Sequence, residues 1–245
     1  MLTDVNTWLG NWPFQKFEIN TPGKLAKHLK AEGISHAFVS SLDSVFLPDP
    51  DQGNKVLLSE LKKYPCLYPV MIIDLSLDNW KELLEKYRNL NIKLIKLVPN
   101  YHGYSLLSPC VKELMRMLGA GSILPVIQVR LEDERTQHKM CKVPGVEVKD
   151  IVKCANKFPY IEMIVCGAYY TEALELVRET KNLYIEISFI EKFDTIRSLL
   201  KEIPAKRILF GSHTPFFYTR SSVMKIKAPG INENDRRLIM NRKVI

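Results

Sequence analysis

The feature that most constrains this chain is an eightfold alternation of short apolar runs that read as strands with amphipathic runs that read as helices. Strand-like runs fall at 2–6, 37–40, 67–73, 94–98, 123–129, 161–165, 184–188 and 207–211. Helix patterns lie between them at 22–32, 53–63, 79–88, 109–118, 146–157, 171–179 and 193–201, with one more at 233–241. Thr21 and Pro22 mark a helix start and Gly33 its end, and Asp78 stands where it can cap the helix at 79–88. Strands that are mostly apolar without alternation are buried on both faces, which calls for a parallel sheet covered by helices. Eight such units close into a (β/α)8 TIM barrel, and 245 residues match the ~250 such a barrel needs, so residues 1–245 read as a single domain. An open doubly wound sheet is the rival. The turn from Thr7 to Pro13 after the first strand is not a glycine-rich phosphate cradle, and neither nucleotide-binding glycine motif is present.

Composition narrows the classes. With 46% hydrophobic and 25% charged residues, the chain is neither disordered nor collagen-like. No apolar run approaches the ~20 residues needed to span a bilayer, so no membrane partner is expected. The opening Met1-Leu2-Thr3-Asp4 has neither a basic stretch nor an apolar core, so no secretory signal is expected. Cys66, Cys110, Cys141, Cys154 and Cys166 are odd in number and lack CxxC spacing, which argues against a disulfide framework or a zinc ribbon and for a cytoplasmic setting. The formal charge of +8 favours anionic partners. The lysines are spread along helices and mixed with glutamates rather than gathered in a stripe, so nucleic acid is not the expected partner. A homo-oligomer is compatible with the sequence.

In such a barrel, reactive groups project from the C-terminal strand ends and the loops beyond them. Those ends carry Asn6, Trp8, Ser40, Ser41, Asp74, Lys96, Gln128, Arg130, Cys166, Glu186, Ser188, Ser212 and His213. Period-two alternation puts Gln128 and Arg130 on one side of their strand, and Glu186 and Ser188 on one side of theirs. Polar groups at the ends of apolar strands are costly to bury unpaired, so their convergence predicts a polar pocket. His102, His138 and His213 follow strands four, five and eight on one rim, each set against the ordinary reading of a satisfied or surface histidine. His213 is the candidate acid or base because it stands at a strand end. Arg130 and Arg135, in the charged run through His138, could clamp a carboxylate or simply pair with Glu132, Asp133 and Glu134. Lys96 is a charge within an apolar strand, a site lysine or a partner for Glu186. Cys166 is a candidate nucleophile, or an inert buried thiol.

Several segments resemble the amidohydrolase-related family, the TIM-barrel metal-dependent hydrolases and decarboxylases. Asp4-Val5-Asn6-Thr7-Trp8 is similar to that family's opening Asp-x-His-x-His, and 95–101 to its fourth-strand segment. Residues 124–128 resemble the fifth strand that ends in a histidine ligand. Arg207 through Pro215 resembles the eighth-strand Phe-Gly-Ser-Asp-x-Pro, and Ile239-Met240-Asn241 an asparagine-bearing C-terminal helix. The resemblance implies an amidohydrolase-like barrel with a divalent metal such as zinc. The family's ligands are replaced: Asn6 and Trp8 for two histidines, Gln128 for the third, Cys166 for the fourth and His213 for the aspartate. Indole has no lone pair to give and carboxamides are poor zinc ligands, so no metal cofactor is expected in the family manner.

Three readings follow. One is a hydrolase or lyase of a small anionic organic substrate, working without the family metal. His213 and Cys166 would be its catalytic groups. Asn6, Trp8, Lys96, Gln128, Arg130, Arg135, His138 and Glu186 would bind its substrate. The second is a catalytically inactive descendant that binds a ligand or partner protein. The third, an RNA- or DNA-acting protein, rests on the basic balance alone.

Overall fold

Leu94, Ile95, Lys96 and Leu97 show how each strand divides its side chains. Successive residues point to opposite faces, so 94 and 96 share one face while 95 and 97 share the other. All four are buried, because both faces are covered. The computed structural model describes residues 1–119, 121 and 123–241. Eight parallel strands run in sequence order: β1 (Thr3–Leu9), β2 (His36–Ser41), β3 (Leu67–Ile72), β4 (Leu94–Leu97), β5 (Leu124–Gln128), β6 (Met163–Cys166), β7 (Leu183–Glu186) and β8 (Ile208–Leu209). The sheet closes on itself. Val5 N–H donates to the Phe210 carbonyl at 3.0 Å, His213 N–H to Asn6 at 2.9 Å and Trp8 N–H to Thr214 at 2.8 Å. This is the (β/α)8 barrel that the alternation demands.

The helices are α1 (Pro22–Ala31), α2 (Asp43–Phe46), α3 (Pro50–Leu61), α4 (Trp80–Asn89), α5 (Pro99–His102), α6 (Pro109–Leu118), α7 (Val148–Lys157), α8 (Tyr170–Glu179), α9 (Thr195–Leu200), α10 (Thr219–Lys227) and α11 (Glu233–Met240). Thr21 caps α1 as expected, its hydroxyl accepting from Lys24 N–H. Asp78 does not cap α4; Asn79 takes that place without a side-chain bond. Helix α3 begins three residues earlier than its apolar pattern suggests. Asp49 accepts from the Asp51 N–H at 3.0 Å and Pro50 pre-sets the first turn. The short α2 and α5, and α10, have no counterpart in the sequence reading.

Apolar residues form two nested cores. The larger lies between sheet and helices and takes the outward residues, among them Val39, Met71, Ile95, Ile127, Val165 and Ile185. The smaller fills the barrel and is built from Val5, Phe38, Val70, Leu94, Val126, Ile164, Tyr184 and Leu209, joined by Cys166. Among the described residues no helix is long and apolar enough to cross a membrane.

Candidate active site

Two residues beyond the inner apolar layer, the same strand faces turn polar. Phe38 is followed by Ser40, Leu94 by Lys96, Val126 by Gln128, Ile164 by Cys166 and Tyr184 by Glu186. Asn6 from β1 and His213 from beyond β8 complete this upper layer, and every member is buried. The layer lies at the C-terminal strand ends, where barrels of this kind place their chemistry.

Asn6 is its hub. Its Oδ1 accepts from Lys96 Nζ at 3.0 Å. Its Nδ2 donates towards Glu186 Oε1 at 3.3 Å and His213 Nδ1 at 3.0 Å. The expected Lys96–Glu186 pair is thus relayed through an amide rather than made directly. Lys96 Nζ also stands 4.0 Å from the centre of the Trp8 ring, where the indole face attracts a cation. Glu186 accepts three further bonds: Gly167 N–H at 2.8 Å, Ser188 N–H at 2.6 Å and Ser188 Oγ at 2.7 Å. Two glycines make this possible. A Cβ on Gly211 would meet Glu186 Oε2 at 2.3 Å, and Gly167 holds φ at +81° while its N–H faces the carboxylate.

His213 is locked as a neutral ring. An indole nitrogen can only donate, so Trp8 Nε1, at 3.2 Å, fixes Nδ1 as the acceptor. Nε2 then carries the proton and donates to the Leu131 carbonyl at 2.8 Å. Phe189 and Phe216 pack on the ring, at 4.9 and 4.8 Å between centres. Burial drives its pKa down to about 3, against the pull of the Leu131 carbonyl. The acid–base role expected of His213 is therefore corrected: both nitrogens are engaged, and the residue positions Asn6 and Trp8. Its φ of +56° is a left-handed conformation unusual for a residue with a Cβ.

Asp4 escaped the sequence reading, although the argument applied to Lys96, a charge in an apolar strand, applies equally to it. Its Oδ1 accepts the N–H groups of Asn6 at 3.0 Å and Ser212 at 3.1 Å, while Oδ2 makes no hydrogen bond. Burial pushes its pKa up to about 7, against the pull of Ser212 and the Asn6 N–H. Burial likewise brings Lys96 down to about 8, opposed by the neighbouring acidic groups Cys166, Glu186 and Asp4. Gln128 Oε1 and the Ser40 hydroxyl are also without partners, while Gln128 Nε2 donates to the Arg130 carbonyl at 2.7 Å.

The remaining candidates lie elsewhere or are otherwise occupied. β5 ends at Gln128, so Arg130 does not continue its alternation. Its guanidinium forks onto Glu172 with two 2.7 Å bonds, reaches the Gly167 carbonyl at 2.5 Å and stacks 3.9 Å from the Tyr169 ring centre. An anion would have to displace Glu172, so Arg130 serves as a structural pin. Arg135 is an exposed residue paired with Asp133 and Glu191. His138 is exposed, its Nδ1 accepting from Met140 N–H at 3.2 Å. Burial pushes the Cys166 thiol up, away from the thiolate a nucleophile needs. All five cysteines are free.

An apolar cover closes the mouth above the polar layer. It gathers Trp8, Trp12, Phe17, Leu42, Val45, Ile72, Val98 and Leu131, with Tyr101 and Phe216 against them. Trp12 Nε1 donates to Glu132 Oε1 at 3.1 Å, latching the loop after β1 to the loop after β5. Lys96 itself is almost wholly shielded from solvent.

No family model matches the chain, and no curated protein does. Solved structures do. A 2,6-dihydroxybenzoate decarboxylase from Rhizobium matches with a TM-score of 0.70 and 15% identity over 98% of this chain and 96% of its own. A putative amidohydrolase from Staphylococcus aureus gives 0.74 and 11% over 98% and 97%. A dihydroxybenzoic acid decarboxylase from Polaromonas sp. JS666, with bound manganese, gives 0.67 and 12% over 98% and 94%. At these identities the likeness shows the fold: an amidohydrolase-like (β/α)8 barrel.

The resemblance read in the sequence implies a metal, and the residues here do not fit one. Asn6 Oδ1 already faces an ammonium, Trp8 offers no lone pair, Cys166 is held protonated, and both His213 nitrogens are engaged. Among the described residues no group of three or more His, Cys, Asp or Glu is placed to hold a metal ion. The Lys96 ammonium would repel one in any case.

Proposed function

We propose that the upper layer of the barrel binds a small anionic organic substrate and that the protein is a hydrolase or lyase acting without the family's usual metal. One observation carries this reading. A buried ammonium, Lys96, shares a layer with Gln128 Oε1 and the Ser40 hydroxyl, which have no hydrogen-bond partner among the described residues. Buried polar groups are normally satisfied, so such a set fits a chamber shaped for a polar guest. Lys96 is the cation within this layer placed to meet a carboxylate, and it acts in a dry setting where its charge is worth most. Gln128, through its unpartnered Oε1, orients the guest by a hydrogen bond, and Asn6 holds the Lys96 ammonium in place. Asp4, whose pKa stands at about 7, gives and takes a proton near neutral pH. His213 is a positioning residue. The fold neighbours named for dihydroxybenzoates act, by those names, on small aromatic acids, which agrees with a lysine in this layer.

Thermal shift with oxalate, malonate and benzoate tests the proposal. A ligand at 100 times its Kd stabilises by about 2.7 kcal/mol, and Lys96→Met should abolish the response. No shift with any small carboxylate would overturn it. The sealed apolar cover favours a second reading, a catalytically silent ligand- or partner-binding barrel. Binding of carboxylates without turnover of any would select that one.

A further inference from the structure

Lys96 is buried, yet its hydrogen bond goes to a neutral amide and its other neighbour is an indole face. No carboxylate among the described residues lies within ion-pair distance of its Nζ, although the charges of Glu186 and Asp4 reach it. A lysine held this way has lost water and gained no direct counter-charge, which draws its equilibrium towards the uncharged amine while the ammonium remains the main form at neutral pH. The amine form is a nucleophile, and a desolvated lysine is one of the ways proteins make one. The position matters as much as the environment. Nζ stands at the C-terminal end of β4, inside the barrel, on the one face where such folds do chemistry. Asp4 is a buried carboxyl close enough for its charge to act on Lys96.

We infer that Lys96 is an amine nucleophile that forms an imine with a small oxo acid, a carboxylate that also carries a ketone or aldehyde. This rests on the small-anion reading above and adds to it the bond that forms. The nitrogen lone pair adds to the carbonyl carbon, and the carbonyl π pair moves to oxygen. A proton then passes from nitrogen to that oxygen. The hydroxyl leaves as water, taking its extra proton from the Asp4 carboxyl, as the remaining lone pair on nitrogen closes the C=N bond. The products are a protonated imine and an Asp4 carboxylate. The imine keeps the positive charge that the ammonium held, so a carboxylate on the same guest is held close. In a 3-oxo acid the C–C pair next to that carboxylate flows into the C=N bond and carbon dioxide departs. The enamine carbon takes a proton from solvent. Water then adds to the imine carbon, returns a proton to Asp4 and frees the amine with a ketone product. The charge sink that a metal supplies elsewhere is here a covalent one.

The test is reductive trapping of the whole chain. Wild-type protein is incubated with pyruvate or acetoacetate and cyanoborohydride at neutral pH, and adducts are mapped by peptide mass spectrometry. The expected result is one reduced adduct per chain on Lys96, formed faster than on any surface lysine and lost in Lys96→Arg and Lys96→Met. Mapping on the wild type needs neither variant to fold. Labelling of surface lysines while Lys96 stays unmodified would overturn the inference. Oxalate, which has no ketone, separates the two ideas. If oxalate still stabilises the wild type and Lys96 is not trapped, only the imine fails. If oxalate does nothing and Lys96 is not trapped, the small-anion reading fails with it.

Discussion

The two layers inside the barrel differ by two residues along the same strands and by almost everything else. The lower layer is apolar throughout, from Val5 and Phe38 to Tyr184 and Leu209. The upper layer holds Asn6, Ser40, Lys96, Gln128, Cys166, Glu186 and His213, equally buried. Backbone, twist and spacing are shared, so the difference is one of side-chain choice. Apolar packing in the upper layer would have been at least as stable, because replacing buried charges by well-packed hydrophobes is often neutral or favourable. A chain that buries an ammonium, two carboxyl groups and two carboxamides in the middle of its core has kept them for something other than stability. Departures from packing logic of this kind gather at functional sites.

The comparison can be broken most directly by exchanging one residue of each layer on the same strand. Leu94→Ala should cost about 2–5 kcal/mol in denaturant unfolding, as cavities in barrel-filling cores do, and leave carboxylate binding measurable at low temperature. Lys96→Met should cost less, about 1–3 kcal/mol for the Asn6 acceptor left without its donor, and should lose the carboxylate response. Equal losses of stability in the two variants would make the upper layer ordinary packing.

A smaller effect appears in pH. Asp4 is protonated up to about pH 7 in the fold but only to 3.8 when unfolded, so its contribution is complete below 3.8 and is lost as pH rises to 7. His213 runs the other way: neutral down to about 3 in the fold and protonated below 6.5 when unfolded, it contributes fully above 6.5 and loses this as pH falls to 3. Between pH 4 and 6.5 the two slopes, each near 1.4 kcal/mol per pH unit, oppose one another. Asp4→Asn should therefore make stability rise with pH across that window, and His213→Gln should make it fall. Matching pH profiles for wild type and Asp4→Asn would show that the carboxyl is not buried as described.

The smallest effect is expected at the rim. Arg135→Ala should leave both the melting temperature and carboxylate binding where they were, since its partners Asp133 and Glu191 meet it at the surface. A lost carboxylate response in this variant would move the anion site out of the barrel.

Much of the barrel was legible because its signals are local. The apolar strand runs and the helix punctuation by Thr21, Pro22 and Gly33 need only neighbours in sequence, whereas the alternation expected from Gln128 to Arg130 and from Glu186 to Ser188 runs past the strand ends. The candidate site was legible as a set of strand ends, which located Asn6, Lys96, Gln128, Cys166, Glu186 and His213. What failed was everything decided by a distant partner. Arg130 is two residues from Gln128, but the strand has ended, and Glu172 draws its fork aside. The charge-neutral state of His213 depends on Trp8 and on the Leu131 carbonyl. The apolar cover draws on β1, the end of β3 and the segments after β1, β2, β4, β5 and β8, and no single segment announces it. Asp4 is the exception, a local signal passed over.

The closing bonds between β1 and the β8 end have a consequence for how the protein is made. Val5 and Phe210 are roughly 200 residues apart, and at about 5–20 residues per second the first strand waits on the order of 10–40 s for its last neighbour to leave the ribosome. During that interval its open edge presents unsatisfied amides next to an apolar face, the combination that recruits foreign strands. A nascent chain stalled before residue 208 should therefore be a strong client for chaperones, and its release should depend on the arrival of two short residues, Ile208 and Leu209, rather than on the bulk of the sequence already folded.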